Sequence, residues 1–348
     1  MYKFKILIFN VKKLFIPICI FLFTIFLLIF SNTNLSSAKI GLALWANSVV
    51  PSLLPFFIAT ELLGYTNIIS ILGKLLNKIM KPIFNVPGEG AFPFIMGFIS
   101  GYPMGAKIVS NFKSQGICTN VEAERLLAFT NNSGPLFIIG TVGIGLFKDT
   151  NTGFLLFITH ILACLTVGFI FRFWKSSKRF GEKGGRPLFP QEQVSITNLG
   201  EVLANSITSA INTIFLIGGF IVLFSVVISI LENSGILDSL AHLIYPILSI
   251  FNVPISFADG IFTGLLELTN GVCNIANITC KSISTNIIVC SFLLGFGGIS
   301  IALQILSIVS KAKISIKPYI IGKLLQGIFA AIYTYIFIYT FPFFNLNL

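Results

Sequence analysis

Two ionisable residues lie in or beside glycine-bounded interruptions of otherwise apolar sequence, Lys107 and Glu267. Lys107 ends the stretch GFISGYPMGAK, and Glu267 lies within GLLELTNG. Three glycines and a proline make a continuous helix through the first stretch costly. We therefore interpret it as a hairpin that enters the membrane and turns at Ser100–Gly105, with a loop between two short buried helices as the alternative. A charge inside a membrane is expensive unless it is paired or functional, so both stretches are candidate binding sites.

The two charged residues suggest opposite roles toward a solute. Lys107 supplies a positive charge for an anionic group, unless its side chain extends to the inner membrane surface. Glu267 is either a structural partner of Lys107 or a carboxylate whose protonation varies with the solute, which would couple transport to a proton or a sodium ion. Half-helix N-termini add free N–H groups that favour an anion. No metal and no other cofactor is expected.

Polar residues near the interruptions are assigned to the same site. Their side chains can orient a solute by hydrogen bonds, and the ring of Tyr102 offers a face for stacking. The predicted substrate-binding residues are Ser100, Tyr102, Lys107, Asn131, Asn132, Ser133, Glu267, Thr269, Asn270 and Asn274. An asparagine at a helix break is as often a cap as a ligand, which is the alternative for each asparagine in this set.

The composition assigns the chain to a class of protein. Of its 348 residues, 55% are hydrophobic and 10% are charged, and the net charge is +11. A soluble domain has roughly 25% charged residues, so we predict a polytopic membrane protein in a lipid bilayer. The positive charge is assigned to loops on the cytoplasmic side and not to nucleic-acid binding. The six cysteines form no CxxC pair and are interpreted as packing residues.

Signatures of common enzymes are missing from the sequence. It contains no GxxxxGK[ST], GxSxG or HExxH motif, so we expect a protein that is not an enzyme. His160 stands alone in an apolar helix and is expected to pack there. Glu61 and Lys323 lie inside predicted crossings, as a buried pair or as cavity residues.

The elements that must position these residues occur twice and in the same order. Phe84 and Phe251 each begin an FNVP word that follows an amphipathic segment, and they lie 167 positions apart. The tips that begin at Gly97 and Gly264 have the same separation. WANS, which begins at Trp45, likewise returns as LANS. A broken crossing follows each tip, at 130–135 and at 295–300. The order of landmarks therefore predicts two copies of one unit.

These patterns predict an all-α polytopic membrane protein of two inverted-topology repeats plus an N-terminal transmembrane helix. Each repeat has a re-entrant hairpin and a broken transmembrane helix, which gives seven crossings in all. Lysine and arginine are most frequent in loops on the side of the N-terminus, which places that terminus in the cytoplasm. A cleaved signal peptide is the alternative for the first crossing. The predicted segments are a basic segment and first helix at 1–35, a first repeat at 40–173, a basic cytoplasmic linker at 174–198 and a second repeat at 199–342.

Three words of the sequence also resemble those of a known family. SGYPMGAK at Ser100–Lys107, EAERLLAFTNNSGP at Glu122–Pro135 and GLLELTNG at Gly264–Gly271 resemble the YlbJ family of sporulation integral membrane proteins. The resemblance covers roughly Gly41 to Phe341. It implies paired nucleoside recognition, or Gate, domains in a multi-pass protein of the cell membrane.

The same resemblance implies a role in endospore formation, at the outer forespore membrane. The family is associated with moving dipicolinic acid from the mother cell, so the partner that it implies is a small anionic organic solute, dipicolinate. A nucleoside or nucleobase carrier is one alternative, and a sporulation scaffold that transports nothing is another. The sequence does not predict an oligomeric state.

Overall fold

The structure is a computed structural model that describes residues 2–175, 194–250, 253–279 and 282–340. Within these ranges the regular structure is helical, without strands. Most of the predicted linker at 174–198 lies outside the described residues, as does Lys281.

The first half of the chain forms eight α-helices with short connections. They are α1 (Tyr2–Ile29), α2 (Ser31–Leu44), α3 (Val50–Gly64), α4 (Ile68–Phe84), α5 (Ala91–Ser100), α6 (Met104–Ser114), α7 (Asn120–Phe129) and α8 (Thr150–Phe171) within the described part of that half. A π-helical turn at Trp45–Val49, just ahead of Pro51, joins α2 to α3, so the two form one long helix. An 11-residue π-helix, Leu136–Leu146, lies between α7 and α8.

The second half contains seven α-helices in the residues that the structure covers. They are α9 (Leu199–Asn233), α10 (Ile236–Ile250), α11 (Ser256–Leu266), α12 (Leu268–Ala276), α13 (Ile283–Phe296), α14 (Gly298–Val309) and α15 (Lys317–Thr340). The order of short and long helices follows that of the first half from α4 onward. The long helices α8 and α15 pack against each other.

Several helical stretches have the length and composition needed to cross a membrane. Within the described ranges there are five, at Ser31–Gly64, Thr150–Phe171, Leu199–Asn233, Ile283–Val309 and Lys317–Thr340. This confirms the predicted all-helical membrane protein. Two more predicted crossings correspond to apolar stretches that are shorter, Leu14–Ile29 and the π-helix Leu136–Leu146. The inverted arrangement of the repeats and the membrane depth of the hairpins stay predictions.

Both glycine-bounded stretches form pairs of short helices. In the first hairpin α5 ends at Ser100, three residues make the turn, and α6 begins at Met104. Gly101 has φ +75°, a left-handed conformation that favours glycine. In the second hairpin a single extended residue, Glu267, separates α11 from α12. The second turn therefore lies at the carboxylate itself and not at the glycines that flank it.

The glycines of the hairpins allow backbones to approach closely. A Cβ atom on Gly97 would lie 1.8 Å from the carbonyl oxygen of Thr130, and one on Gly105 would lie 2.1 Å from the same atom. The first hairpin therefore holds the start of the first break between its two arms. In the second hairpin, a Cβ on Gly271 would lie 2.0 Å from the Cα of Gly264. There the glycines bring the two arms of the hairpin together.

Helices end and restart inside both predicted interruptions. After α7 the chain is irregular and buried from Thr130 to Gly134. In the second half α13 gives way to α14 at Gly297 and Gly298, which have φ values of +85° and +88°. Two consecutive left-handed residues break the helix sharply, and they are tolerated because both are glycines.

The amphipathic segment at 67–81, ahead of the first FNVP, forms α4. One side of the helix packs on the protein through Ile69, Gly73, Met80 and Phe84. Ile71, Leu75 and Ile79 form an apolar side that the protein leaves exposed, and Lys74, Lys78 and Lys81 are exposed as well. An amphipathic helix with an exposed apolar side is typical of the membrane surface, and that location of α4 stays a prediction.

Candidate functional site

A cavity of about 230 Å³ lies where the two hairpin tips and the two helix breaks meet. The first tip contributes Gly101 and Tyr102, and the second contributes Glu267 through Thr269. The breaks contribute Ser133 with Gly134, and Ser300 at the start of α14. Four separate interruptions of helical structure therefore converge on one space, as the sequence predicts.

The rest of the cavity wall is mainly apolar. It is formed by the α2–α3 helix, by α9 and by parts of the π-helix and α14. The apolar lining residues include Leu44, Val49, Leu53, Phe56, Ile217 and Ile221. Polar groups on these elements are few, and they are Ser48, Ser52, Thr141 and Gln304. A mostly apolar lining with a few polar groups is typical of small-molecule sites.

The two halves of the chain touch at this cavity. A Cβ atom on Gly297 would lie 3.0 Å from the hydroxyl oxygen of Tyr102, so the first tip packs on the second break. The neighbouring Gly298 approaches the second tip, since its Cβ would lie 3.1 Å from the carbonyl oxygen of Gly264. The geometry of the cavity therefore depends on contacts that neither half makes alone.

Two buried hydroxyl groups at the cavity retain free hydrogen-bonding capacity. Among the described residues, neither the Tyr102 hydroxyl nor the Ser133 hydroxyl makes a hydrogen bond of ordinary geometry, although the two side chains are near each other. Buried polar groups normally form hydrogen bonds, so two buried hydroxyls without a partner beside a cavity point to a ligand or to ordered water. Each hydroxyl can both donate and accept.

Glu267 acts as the N-terminal cap of α12. Its carboxylate accepts hydrogen bonds from the backbone N–H groups of Thr269, at 3.1 Å, and Asn270, at 2.9 Å. Glu267 is 6% exposed and forms no salt bridge with a described residue. The helix N-terminus thus stabilises this carboxylate. The sequence predicted that these N–H groups were free for an anionic solute, and two of them are instead occupied by Glu267.

Lys107 lies outside the cavity and is paired. Its Nζ lies 2.6 Å from Oε1 of Glu61 and donates to the hydroxyls of Ser209 and Thr213, at 2.8 Å each. These contacts join α6 to α3 and α9. The structural partner suggested by the sequence was Glu267, so the structure replaces that pair with Glu61–Lys107.

The cavity brings together four of the ten predicted substrate-binding residues, and these are Tyr102, Ser133, Glu267 and Thr269. Ser100 is fully buried and shares a hydrogen bond of 2.8 Å with Thr60. Asn131 caps the start of α6, because its Oδ1 accepts from the backbone N–H of Ala106 at 3.3 Å. Asn270 lies beside the second tip without lining the cavity, and Asn274 is exposed. The capping role is thus the alternative that the structure favours for Asn131.

Sequence reasoning missed several polar lining residues. Ser48 belongs to the WANS word, and Ser300 belongs to the second break, so both lay inside patterns that had been noticed. Ser52 and Gln304 lie in the middle of helices. Ser52 follows Pro51 and Gln304 has no glycine or proline beside it, but neither neighbourhood predicts that the side chain lines a cavity, and only the packing of helices reveals it.

Asn132 belongs to a buried polar cluster directly behind Tyr102. Its Oδ1 accepts from Lys323 Nζ at 3.3 Å and from Gln326 Nε2 at 2.9 Å. Lys323 also donates to Gln326 Oε1 at 2.8 Å, and its Nζ lies 5.1 Å from the centre of the Tyr102 ring. His160 Nε2 lies 3.3 Å from Gln326 Nε2, so His160 joins this cluster and does not pack alone. We name these four residues, Asn132, His160, Lys323 and Gln326, the amide–lysine cluster.

With this geometry known, comparisons with other proteins place the chain in a family. The family model described as nucleoside recognition, or Gate, matches residues 46–172 and 214–341. The chain belongs to the Gate family. It is also similar to the sporulation integral membrane protein YlbJ of Bacillus subtilis, with 37% identity over 315 residues that cover 87% of this chain and 77% of the relative. No solved structure matches the chain significantly.

The two Gate matches divide the cavity between them. Tyr102 and Ser133 lie in the first match, and Glu267 and Ser300 lie in the second. The chain is therefore an integral membrane protein, related to a sporulation protein, whose candidate site lies between two Gate segments.

Proposed function

We propose that this protein carries dipicolinate during endospore formation, from the mother cell across the outer forespore membrane, with its N-terminus in the cytoplasm. The observation that carries the proposal is the cavity at which the tips and breaks of both Gate segments meet. Broken helices at membrane depth are typical of solute sites in secondary transporters. The choice of solute comes from the resemblance of the tip words to the YlbJ family, and a relative of the chain is a sporulation protein.

The size and lining of the cavity support a solute with one ring. Pockets for drug-sized ligands range from about 300 to 1,000 Å³, and this cavity has about 230 Å³. Tyr102 offers a ring face to a flat aromatic acid, and the hydroxyls of Tyr102 and Ser133 can donate to its carboxylates. A nucleoside is larger, because it carries a sugar on its base, and it would fit the same space less well.

Glu267 is the residue that fits an anionic solute least well, because two negative charges repel. The negative charge of Glu267 is already partly offset, since its carboxylate accepts hydrogen bonds from two backbone N–H groups at the start of α12. Protonation of Glu267 when the solute enters would remove the remaining repulsion. Transport of this kind would be coupled to a proton, and sodium binding at the same carboxylate is the alternative.

The proposal is tested by uptake of labelled dipicolinate into vesicles that contain only this protein. We expect saturable uptake that excess unlabelled dipicolinate removes and that uridine leaves unchanged. Ser52→Trp places a large ring in the cavity and should abolish uptake. Ala59→Trp is the matched control, because Ala59 lies on the same helix, α3, but is exposed and does not line the cavity.

Three results would contradict the proposal. Saturable uptake of labelled uridine in place of dipicolinate would favour the nucleoside carrier that the family description suggests. Equal uptake by the Ser52→Trp and Ala59→Trp proteins would remove the cavity from the pathway. The absence of uptake from well-folded protein would favour the scaffold.

A further inference from the structure

Lys323 is a fully buried lysine without a described counter-ion. It is 1% exposed, it lies on α15, and α15 is long and apolar enough to cross a membrane. Within the part of the chain that the structure describes, no carboxylate lies within 4 Å of its Nζ. A lysine in such a position is usually paired or functional. The mechanism proposed above makes no use of it.

The described contacts of Lys323 are with neutral groups, so none of them neutralises a positive charge on its amino group. Its two hydrogen-bond acceptors are the amide oxygens of Asn132 and Gln326, which orient the ammonium group but do not neutralise it. An ammonium group has three donors, and one remains after these two bonds. The Nζ of Lys323 also lies over the ring of Tyr102, 5.1 Å from the ring centre.

Tyr102 also forms the wall of the cavity, so its ring separates Lys323 from the solute space. Its hydroxyl makes no well-formed hydrogen bond to the described protein that would hold the ring in place. Ser133 and Gly134, which follow Asn132 in the chain, line the cavity on the same side. A cation–π contact is weaker than a charge-assisted hydrogen bond to a carboxylate, so an acid that displaces the ring makes the better contact.

We infer that Lys323, oriented by Asn132 and Gln326, is a carboxylate-binding centre that opens to the cavity when the Tyr102 ring moves aside. This inference rests on the proposed function, because the carboxylate belongs to the carried solute. One carboxylate of a dicarboxylic acid lies on Lys323, and the ring of the acid stacks on the displaced tyrosine ring. The centre selects for negative charge at the otherwise apolar wall.

The test measures direct binding of two probes of the same shape to purified protein in lipid nanodiscs. Pyridine-2,6-dicarboxylate is a dianion, and pyridine-2,6-dicarboxamide is its neutral counterpart. Lys323→Gln should weaken binding of the dicarboxylate about tenfold or more, which corresponds to the loss of one hydrogen bond to a charged group. Binding of the dicarboxamide should change less than about twofold, since no charge is lost from its contacts. Lys317→Gln is the matched control, because it removes the same charge from the exposed start of the same helix.

Gln326→Glu provides a second variant that does not depend on removing the lysine. It places a carboxylate beside Lys323 and so occupies the centre from within, while an ion pair replaces the hydrogen bond of 2.8 Å. We expect the same selective loss of dicarboxylate binding in a protein that folds. A lysine that only supports the first break would retain that role in this variant, and dicarboxylate binding would persist.

Failure of this inference is distinguishable from failure of the proposed function. If the dicarboxylate binds normally to the Lys323→Gln and Gln326→Glu proteins, or if both probes weaken equally, the inference is wrong and the carrier proposal stands. If the wild-type protein binds benzoate or pyridine-2-carboxylate but not the dicarboxylate, dipicolinate is the wrong solute, and the same variants decide the inference with the monocarboxylates. If the wild-type protein binds none of these acids, both fall.

Discussion

The two hairpin tips occupy corresponding places in the two Gate segments, but they are made of different chemistry. Ser100 and Glu267 lie 167 positions apart; Ser100 is the last residue of the first arm of its hairpin, and Glu267 directly follows the first arm of the other. The first tip is a turn of three residues, and it leaves the Tyr102 hydroxyl beside the cavity without a hydrogen-bond partner among the described residues. The second is a single residue whose carboxylate caps the following helix. Duplication of a fold therefore does not produce two equal halves of a site.

The returning arms differ as well. Lys107, in the returning arm of the first hairpin, forms an ion pair with Glu61. Asn274, at the corresponding position in the returning arm of the second hairpin, is exposed. The first hairpin is thus joined to α3 by an ion pair and to α9 by hydrogen bonds. In the second, the glycines Gly264 and Gly271 hold the two arms against each other. We expect substitutions at the glycines and in the returning arm to be more damaging in the first hairpin, and substitution at the tip to be more damaging in the second. Three pairs of variants test this.

The largest difference is expected between Gly97→Ala and Gly264→Ala. A methyl group on Gly97 would meet the backbone carbonyl of Thr130 at 1.8 Å, and a backbone cannot yield without moving the break. We expect a loss of about 3 kcal/mol in stability. A methyl group on Gly264 would lie 2.5 Å from Cδ1 of Leu293, and that side chain can move away. A loss of about 1 kcal/mol is expected there.

The measurement is the midpoint of thermal unfolding of both purified proteins in the same detergent. Equal midpoints, or a lower midpoint for Gly264→Ala, would show that the second hairpin is as tightly constrained as the first.

A smaller effect is expected from Lys107→Ala. The variant leaves Glu61 in a largely buried place without its cation, and removing one partner of a buried pair costs about 3–5 kcal/mol. Both side chains are 17% exposed, so we expect about 2 kcal/mol. Asn274→Ala should change stability by less than about 0.5 kcal/mol, because it alters an exposed position.

Glu61→Ala combined with Lys107→Ala provides the control for this ion pair. Since the double variant leaves neither charge unpaired, its unfolding midpoint should lie above that of Lys107→Ala alone. A midpoint that falls further would mean that the two residues contribute independently.

The smallest difference is expected between Glu267→Ala and Ser100→Ala. Removal of a helix N-cap costs about 1–2 kcal/mol, and Glu267 caps α12 with two hydrogen bonds. Ser100 makes one neutral hydrogen bond, to Thr60, and its loss should cost about 1 kcal/mol or less. Hydrogen exchange locates the two effects, and it should accelerate at Thr269 and Asn270 in the first variant only. Unchanged exchange at these amides would show that the cap is not needed.

Local sequence was sufficient to predict where helices are interrupted, because glycine and proline act on the backbone within a few residues. Gly101 and Gly297 have left-handed φ values at the interruptions that the sequence indicated. Hydropathy was likewise sufficient to predict a helical membrane protein. The convergence of the tips on one cavity followed from the repeated order of landmarks.

Partners distant in the chain could not be predicted in the same way. Lys107 was matched with Glu267 because both lie at tips, and the structure pairs it with Glu61. Asn132 and Lys323 are 191 residues apart, and no local pattern relates an asparagine at a break to a lysine in a long helix. These contacts depend on how helices pack, which a single sequence does not specify.

The close fit of the Tyr102 hydroxyl against Gly297 has a consequence for motion. A carrier that opens alternately to two sides must displace one Gate segment relative to the other. At this seam Gly297 presents backbone and no side chain to the tyrosine. We expect the two segments to move past each other here, because Gly297 has no Cβ atom to obstruct the ring.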